Sequence, residues 1–391
     1  MIKLVNYWLF SVPVDFEVSW GKILFSRHLI VKLSSQNKVG IGEGVLYKTD
    51  GLSCQKFITK ISKIIQNEYS ISILQNKLQK FIPQAPGVVC AFDMALWDLK
   101  SKIDQKPLNR ILGIPLRKKI EITEQIFISI NHSRYLQLKE IIKNQTNLKL
   151  KIGKDIAEDL ELLKRIRKKH LQLNIQVDAN QALDPNKLKM VGEVFQNLSI
   201  KAIEEPSKKT HWSQFKQLKT PIILDESILS LSDLKNAIGK KAVNILNIKL
   251  SRLGGITNAL KFIKFCQQKN IKITLGCSEE FGIGTAAILH LSSIVKNLYS
   301  TEGFGPQRLG FDIIDEKFNL EKGKITVPKK NGLGKTFNVL LLKKNSRAKK
   351  FPVLEKKSKN LKFNLDEFKN ILKSKIINFL ILLKTGLISL K

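Results

Sequence analysis

Carboxylates and ammonium groups recur along this chain at the ends of successive apolar runs. Lys149 and Lys151 stand in LKLKIG, Asp178 in IQVDAN, Glu204 in KAIEEP, Asp225 in IILDES and Lys249 in LNIKLS. Successive members are separated by about one strand plus one helix, the repeat of a (β/α)8 barrel. Carboxylates at strand ends then arrive at one barrel face, and three of them make a site for a hard divalent cation. Lysines beside that cation can move protons. Cation, enolate and base together define a reaction class, the removal of a proton next to a carboxylate.

Residues two apart in a strand share a face. Lys149 and Lys151 therefore point the same way, as do Asp178 and Asn180, and Asn247 and Lys249. In a closed barrel that shared face is the interior near the C-terminal mouth, where barrel enzymes do their chemistry. Buried lysines and carboxylates are costly unless paired or metal-bound, so packing alone is a poor reason for so many. A proton α to a carboxylate is very weakly acidic, and removing it requires positive charge on the enediolate that forms. A free lysine titrates at about 10.4. Beside a divalent cation and a second lysine its neutral form is favoured, and it can act as a base near neutral pH.

The elements that must hold these groups follow from periodicity. From Ile122 onward, short apolar strands alternate with amphipathic segments: EITEQIFISI, NLKLKI, NIQVDAN, KAIEEP, PIILDES, VNILNIKL, KITLGC and NLYSTE. These are eight strand candidates, and the fold class expected is α/β, a modified (β/α)8 barrel with an α+β capping domain. The cap takes residues 1–118, with strands at Arg27–Leu33 and Val39–Val45 and a helix at Val88–Ile103. The barrel takes residues 119–319, and the chain returns to the cap at about 320–343. Asp93 and Asp98, on the helix, read as solvated or capping groups. His290 reads as core. From residue 344 a basic, proline-containing linker leads to an amphipathic helix with Phe368, Ile371, Leu372, Ile376, Phe379, Leu380, Leu383 and Leu387 at helical spacing. That helix suits a membrane surface or an acidic partner, or packs on the barrel or a second subunit.

Composition adds bounds. Of 391 residues, 67 are Lys or Arg and 33 Asp or Glu, a formal net charge of +34. The lysines are spread along the chain and are not interleaved with aromatics, so no nucleic-acid partner is expected for the barrel. The positive field favours anionic substrates. A basic membrane- or nucleic-acid-associated protein acting through its tail is the non-enzymatic alternative. Cys54, Cys90, Cys266 and Cys277 match no zinc spacing and fit reduced thiols. No secretory signal pattern and no run long enough for a membrane span is present, which points to the cytoplasm.

The stretches LKLKIG, VDAN, IEEP, LDES and NIKLSRLGG, with FDMALWDLKSKI upstream and PKKNGLG downstream, resemble the enolase superfamily, in the muconate-lactonizing branch of the mandelate racemase/muconate lactonizing family. The resemblance spans most of residues 1–340. It implies Mg2+, with Mn2+ as an alternative, bound by Asp178, Glu204 and Asp225. It implies Lys151 and Lys249 as an acid/base pair across the substrate, with Lys149 steadying charge beside Lys151. Asn180, Glu280 and Glu302 would line the substrate, and Trp20, in the Phe16–Arg27 loop with Lys22 and Arg27, is a candidate contact from the cap. Glu205 falls on the opposite strand face and reads as structural. The stretch Ser300–Pro306 lacks an Asp-x-Asp pair and looks like that of muconate and chloromuconate cycloisomerases. The lead expectation is a cycloisomerase acting on a small carboxylate. The alternatives are a dipeptide or N-acyl amino acid epimerase and an o-succinylbenzoate synthase, which is a dehydratase. The resembling enzymes are commonly homo-oligomers.

Overall fold

The computed structural model describes residues 1–47, 54–66, 70–127, 142 and 145–357. Strands β1 (Lys3–Val18), β2 (Gly21–Ser35) and β3 (Lys38–Val45) form an antiparallel sheet completed by β14 (Val353–Lys357), in the order β14-β1-β2-β3. Eight parallel strands follow in chain order: β4 (Lys119–Ile126), β5 (Asn147–Lys151), β6 (Asn174–Asp178), β7 (Ala202–Glu204), β8 (Ile222–Leu224), β9 (Ile245–Ile248), β10 (Lys272–Leu275) and β11 (Leu298–Glu302). β11 pairs back onto β4 through Thr301 with Ile122 and Glu302 with Thr123, which closes the barrel. The barrel with a separate antiparallel cap is the architecture expected from the alternation of strands and amphipathic segments.

The cap is sealed by the helix Pro86–Ile103, which is buried nearly all round. A helix apolar on every side belongs in an interior, and a stripe of glycines lets it in. Gly40, Gly42 and Gly44 alternate along one face of β3. A Cβ on them would lie 2.2 Å from the Ala95 carbonyl oxygen, 2.0 Å from that of Ala91 and 1.9 Å from that of Gly87. Strand and helix backbones are therefore in direct contact. Asp93 and Asp98 on this helix are fully buried, which corrects the expectation that they are solvated. Asp93 accepts from the Thr257 N–H (2.9 Å) at the start of the barrel helix Ile256–Gln268, a capping role played across the domain boundary. Asp98 accepts from the Ile41 N–H (2.8 Å), the Leu333 N–H (2.7 Å) and the Lys102 ammonium (2.7 Å). His290 is core, as expected. Its Nδ1 accepts from the Asn109 N–H (3.3 Å), its Nε2 lies 3.2 Å from the Leu333 carbonyl, and burial pushes it down to about 4.

Two segments differ from the sequence reading. Residues expected to return to the cap from about 320 first make a hairpin, β12 (Leu320–Glu321) and β13 (Lys324–Thr326), antiparallel to the start of β4. Past the hairpin, Gly332 packs against Asp98 and Lys102 of the cap helix, and the Leu333 N–H bonds Asp98. The linker expected from residue 344 is instead, as far as residue 357, the end of a helix (Val339–Ala348) and the edge strand β14, paired with β1. Its basic residues hid a buried anchor, Phe351, which stacks near Phe10 and Phe311. The expected helix at residues 368–387 lies outside the described residues. No helix among the described residues is long and apolar enough to cross a membrane.

Because the Cβ of residue 42 has nowhere to go, Gly42→Ala is expected to lower stability by about 1–3 kcal/mol in urea unfolding. A change within about 0.5 kcal/mol would refute the close strand–helix contact.

Candidate active site

The polar residues singled out by spacing meet at the C-terminal mouth of the barrel. The parallel register sets Lys151 beside Asp178 and Asp178 beside Glu204, while Asp225 follows β8 directly. Lys149 has no exposed side-chain surface. Its ammonium lies 2.8 Å from Glu204, 2.7 Å from Glu302 and 3.8 Å from Asp178. Lys151 bonds Asp178 and the Asn180 side-chain oxygen, both at 2.7 Å. Lys249 stands 2.8 Å from Asp225, whose other oxygen takes Arg252. β5 and β9 are four strands apart in a ring of eight, so Lys151 and Lys249 approach the carboxylates from opposite sides.

Charge decides protonation here. Burial works to raise Asp178 and Asp225, but Lys151 and Lys149 hold the first, and Arg252 and Lys249 the second, below the usual carboxylate range. Glu204 goes the other way. Burial, then repulsion from Glu302, Asp178 and Asp225, push it well above that range despite Lys149. Burial works to lower Lys149 and Lys249, but their carboxylate partners hold both above the usual lysine range.

Three carboxylates on consecutive strand ends, with one destabilised by its neighbours' charge, suit a hard divalent cation. As the side chains stand, lysine ammoniums lie between them. Among the described residues, no three acidic, His or Cys side chains are gathered closely enough to ligate an ion. Binding an ion there therefore means exchanging ammonium contacts for metal contacts.

The remaining expected residues fall at the margin. Asn180, at φ +42°, turns the chain out of β6, and its amide bridges Lys151 and Glu226 (3.3 Å). Glu280 is buried and accepts from the Ser278 N–H (2.6 Å) and the Ser251 hydroxyl (3.2 Å). Glu205 accepts from the Asp225 and Ser227 N–H groups, both at 2.8 Å, and from the Ser227 hydroxyl at 2.6 Å. It braces the turn after β8, and burial followed by Glu226 pushes it up to about 8. Trp20 is 62 % exposed at the β1–β2 turn and is not brought to the carboxylates. Lys22 and Arg27 are exposed as well. The same hairpin does reach the mouth, through the Ser19 hydroxyl on the Asn180 carbonyl (3.3 Å) and Phe16 stacked on Phe127 (4.7 Å).

Asn247, which spacing places on the interior face with Lys249, donates to both Glu204 and Glu302, each at 3.1 Å. Other residues escaped the sequence reading. Arg252 sits 5.6 Å from the ring of Tyr47, which leaves the cap and bonds the Ser278 hydroxyl (2.6 Å). Nothing in the local sequence announces either contact. Arg308 and Gln125 also meet at the mouth, at 3.1 Å.

Lys149→Met leaves Glu204 and Glu302 buried without their cation. The expected loss is about 3–5 kcal/mol in urea unfolding, partly restored by adding Glu302→Gln. A loss below about 1 kcal/mol would mean that water reaches these charges.

Comparison with known proteins agrees with this geometry. Residues 7–113 match the family model described as mandelate racemase / muconate lactonizing enzyme, N-terminal domain. Residues 137–339 match the one described as enolase C-terminal domain-like. An o-succinylbenzoate synthase of Enterococcus faecalis (strain ATCC 700802 / V583) is 30 % identical over 358 residues, 87 % of this chain and 96 % of that protein. An L-Ala-D/L-Glu epimerase of Clostridium acetobutylicum is 28 % identical over 347 residues, 83 % of this chain and 95 % of that protein. Among solved structures, a dipeptide epimerase from Cytophaga hutchinsonii, complexed with Mg and D-Ala-L-Val, shares the fold with a TM-score of 0.81 at 23 % identity, covering 91 % of this chain and all of that one. With its cap and barrel each matched and its strand-end charges converging at one mouth, the chain belongs to the mandelate racemase/muconate lactonizing family of the enolase superfamily and is an enzyme.

Proposed function

We propose that this enzyme removes the proton α to a carboxylate of a small anionic substrate and then eliminates water across the adjacent bond, as in the formation of o-succinylbenzoate. The observation that carries this reading is the vertical order of charge at the mouth. Asp178, Glu204, Asp225 and Glu302 lie at 0–2 % side-chain exposure, whereas Lys151, Lys249 and Arg252 above them keep 7 %, 14 % and 16 %. An incoming molecule therefore meets these cations before the four buried carboxylates, with Glu226 and Glu279 (13 % exposed) at the same rim. Glu302 is drawn inward by Lys149 and Asn247, so it is poorly placed to receive a substrate ammonium. The extended similarity to an o-succinylbenzoate synthase supports the same reading.

In this mechanism the neutral Lys151 amine takes the α-proton, and the C–H electron pair becomes an enediolate. That pair then forms the carbon–carbon double bond as the C–O bond to the β-hydroxyl breaks. The leaving hydroxide takes the proton from the Lys151 ammonium and departs as water, so the amine is restored. Lys249, held by Asp225 on the far side, adds positive charge to the developing enediolate. Asp178, Glu204 and Asp225 would hold Mg2+, which would supply most of that charge. The addition of a carboxylate to a double bond, the cycloisomerase chemistry suggested by Ser300–Pro306, uses the same enolate but takes second place because Glu302 is turned inward.

A second reading rests on a specific geometry. Lys151 and Lys249 approach from opposite sides, the arrangement that epimerisation of a dipeptide or N-acyl amino acid requires. Deuterium uptake separates the two. With Mg2+ in D2O, an epimerase incorporates deuterium at Cα of both enantiomers, whereas a dehydratase converts the hydroxylated precursor to o-succinylbenzoate. If only amino-acid derivatives exchange, the dehydratase reading is wrong.

Lys151→Ala is expected to lower kcat for the dehydration by about 1,000-fold with an unchanged circular dichroism spectrum. Chelation by EDTA should abolish turnover, and added Mg2+ should restore it. Wild-type rates in the variant would remove Lys151 from the mechanism.

A further inference from the structure

One cationic group near the mouth is left out of the carboxylate cluster. Arg308 lies in the short helix Gly305–Leu309 that follows β11, and its side chain is only 7 % exposed. Its Nη1 donates to Gln125 Oε1 at 3.1 Å and is paired with Glu279. Gln125 lies beside Lys149 in the β4–β5 register, so it shares the barrel interior with that lysine. The other two nitrogens of Arg308, Nε and Nη2, are buried and have no hydrogen-bond partner among the described residues. Their N–H bonds point off one edge of the guanidinium in parallel, the fork that takes two carboxylate oxygens at once. Leaving such donors buried and unpaired costs about 1–3 kcal/mol each, and a ligand oxygen pair would remove that cost.

The surroundings hold the fork in place. Gly303, at φ +61°, leaves room for it, since a Cβ there would fall 1.5 Å from Nη2. The guanidinium carbon is 5.8 Å from the centroid of the Phe127 ring, and the Lys151 ammonium is 5.9 Å from the same centroid. The proposed base and the idle fork thus both lie beside one aromatic ring, within reach of one small molecule.

We infer that Arg308 anchors a second carboxylate of the substrate, and hence that this enzyme selects dicarboxylates. The inference builds on the proposed reaction. One carboxylate lies at the acidic triad with its α-carbon at Lys151, and the other, a few bonds away along the Phe127 ring, takes the Nε/Nη2 edge. Arg308 thereby determines specificity without touching the reacting atoms.

The test compares a dicarboxylate with its distal mono-amide. The probes are o-succinylbenzoate, bound as product and measured by calorimetry with Mg2+ present, and its side-chain amide. The wild-type protein should bind the dicarboxylate about 100-fold more tightly. Arg308→Met should bring that ratio close to one, and Arg308→Lys should leave it in between, since a single ammonium cannot make the fork. Loss of Arg308 also strands Glu279, so Arg308→Met is paired with Glu279→Gln to protect folding, with the same ratio expected. A merely structural role would weaken both ligands alike and keep the ratio, which overturns the inference, as would equal binding of both probes by the wild type. Because binding is measured without turnover, a protein that prefers the dicarboxylate through Arg308 yet fails to dehydrate the precursor would sink the proposed reaction and leave the anchor standing.

Discussion

The Lys149 ammonium, shut away from water inside the barrel, is balanced by Glu204 and Glu302 at hydrogen-bond distance and by Asp178 farther off. A buried charge is tolerable only where its partners are fixed. That constraint runs outward through the structure. It requires β5, β7 and β11 to keep their register, because a slip of one residue would turn Lys149 to the wrong face. It requires closure of β11 on β4, which brings Glu302 round the ring to meet a lysine 153 residues earlier. It also gives Asn247 a task, since that amide ties Glu204 and Glu302 together from β9.

The cap is joined to this core by polar contacts at buried places. Asp93 caps a barrel helix, Asp98 gathers Ile41, Leu333 and Lys102, and Glu43 accepts from the Phe281 and Gly284 N–H groups at the start of another barrel helix, at 2.8 and 2.9 Å. Asp93 and Glu43 are cap carboxylates satisfying backbone donors of the barrel, and Asp98 ties Ile41 and Lys102 of the cap to the returning segment at Leu333. Such contacts orient as well as hold, because an N–H has one direction. The hairpin carrying Ser19 and the segment carrying Tyr47 are thereby set on two sides of the mouth, where the cap can influence what enters.

The mouth itself is layered. Carboxylates lie deepest and suit a cation, lysines and an arginine lie above them, and Arg308 stands beside the ring of Phe127. Low exposure strengthens every one of these charges. A substrate that brings negative charge gains from that field, and one that brings an ammonium meets repulsion. Differences between reactions of the same enolate are then decided by a few side chains around a common centre.

Much of this was legible in the chain. Asp178, Glu204, Asp225 and the three lysines announced themselves because a strand shows its faces with a period of two, and because one residue at each strand end must face the mouth. The barrel was legible for the same reason, as was the buried role of His290 in an apolar helix. The inward turn of Glu302, the idle edge of Arg308, the partnership of Arg252 with Asp225 and the burial of Asp93 and Asp98 were not. Each depends on contacts between residues far apart in the chain, and an acidic residue on a helix looks the same in sequence whether it meets water or a distant N–H. Residues 344–357 were misread because a run of lysines masks single buried anchors such as Phe351. Local spacing determined which groups face the barrel interior. Only closure of the ring and docking of the cap decided which of them are neighbours, because neighbourhood across a barrel is set by packing and not by position along the chain.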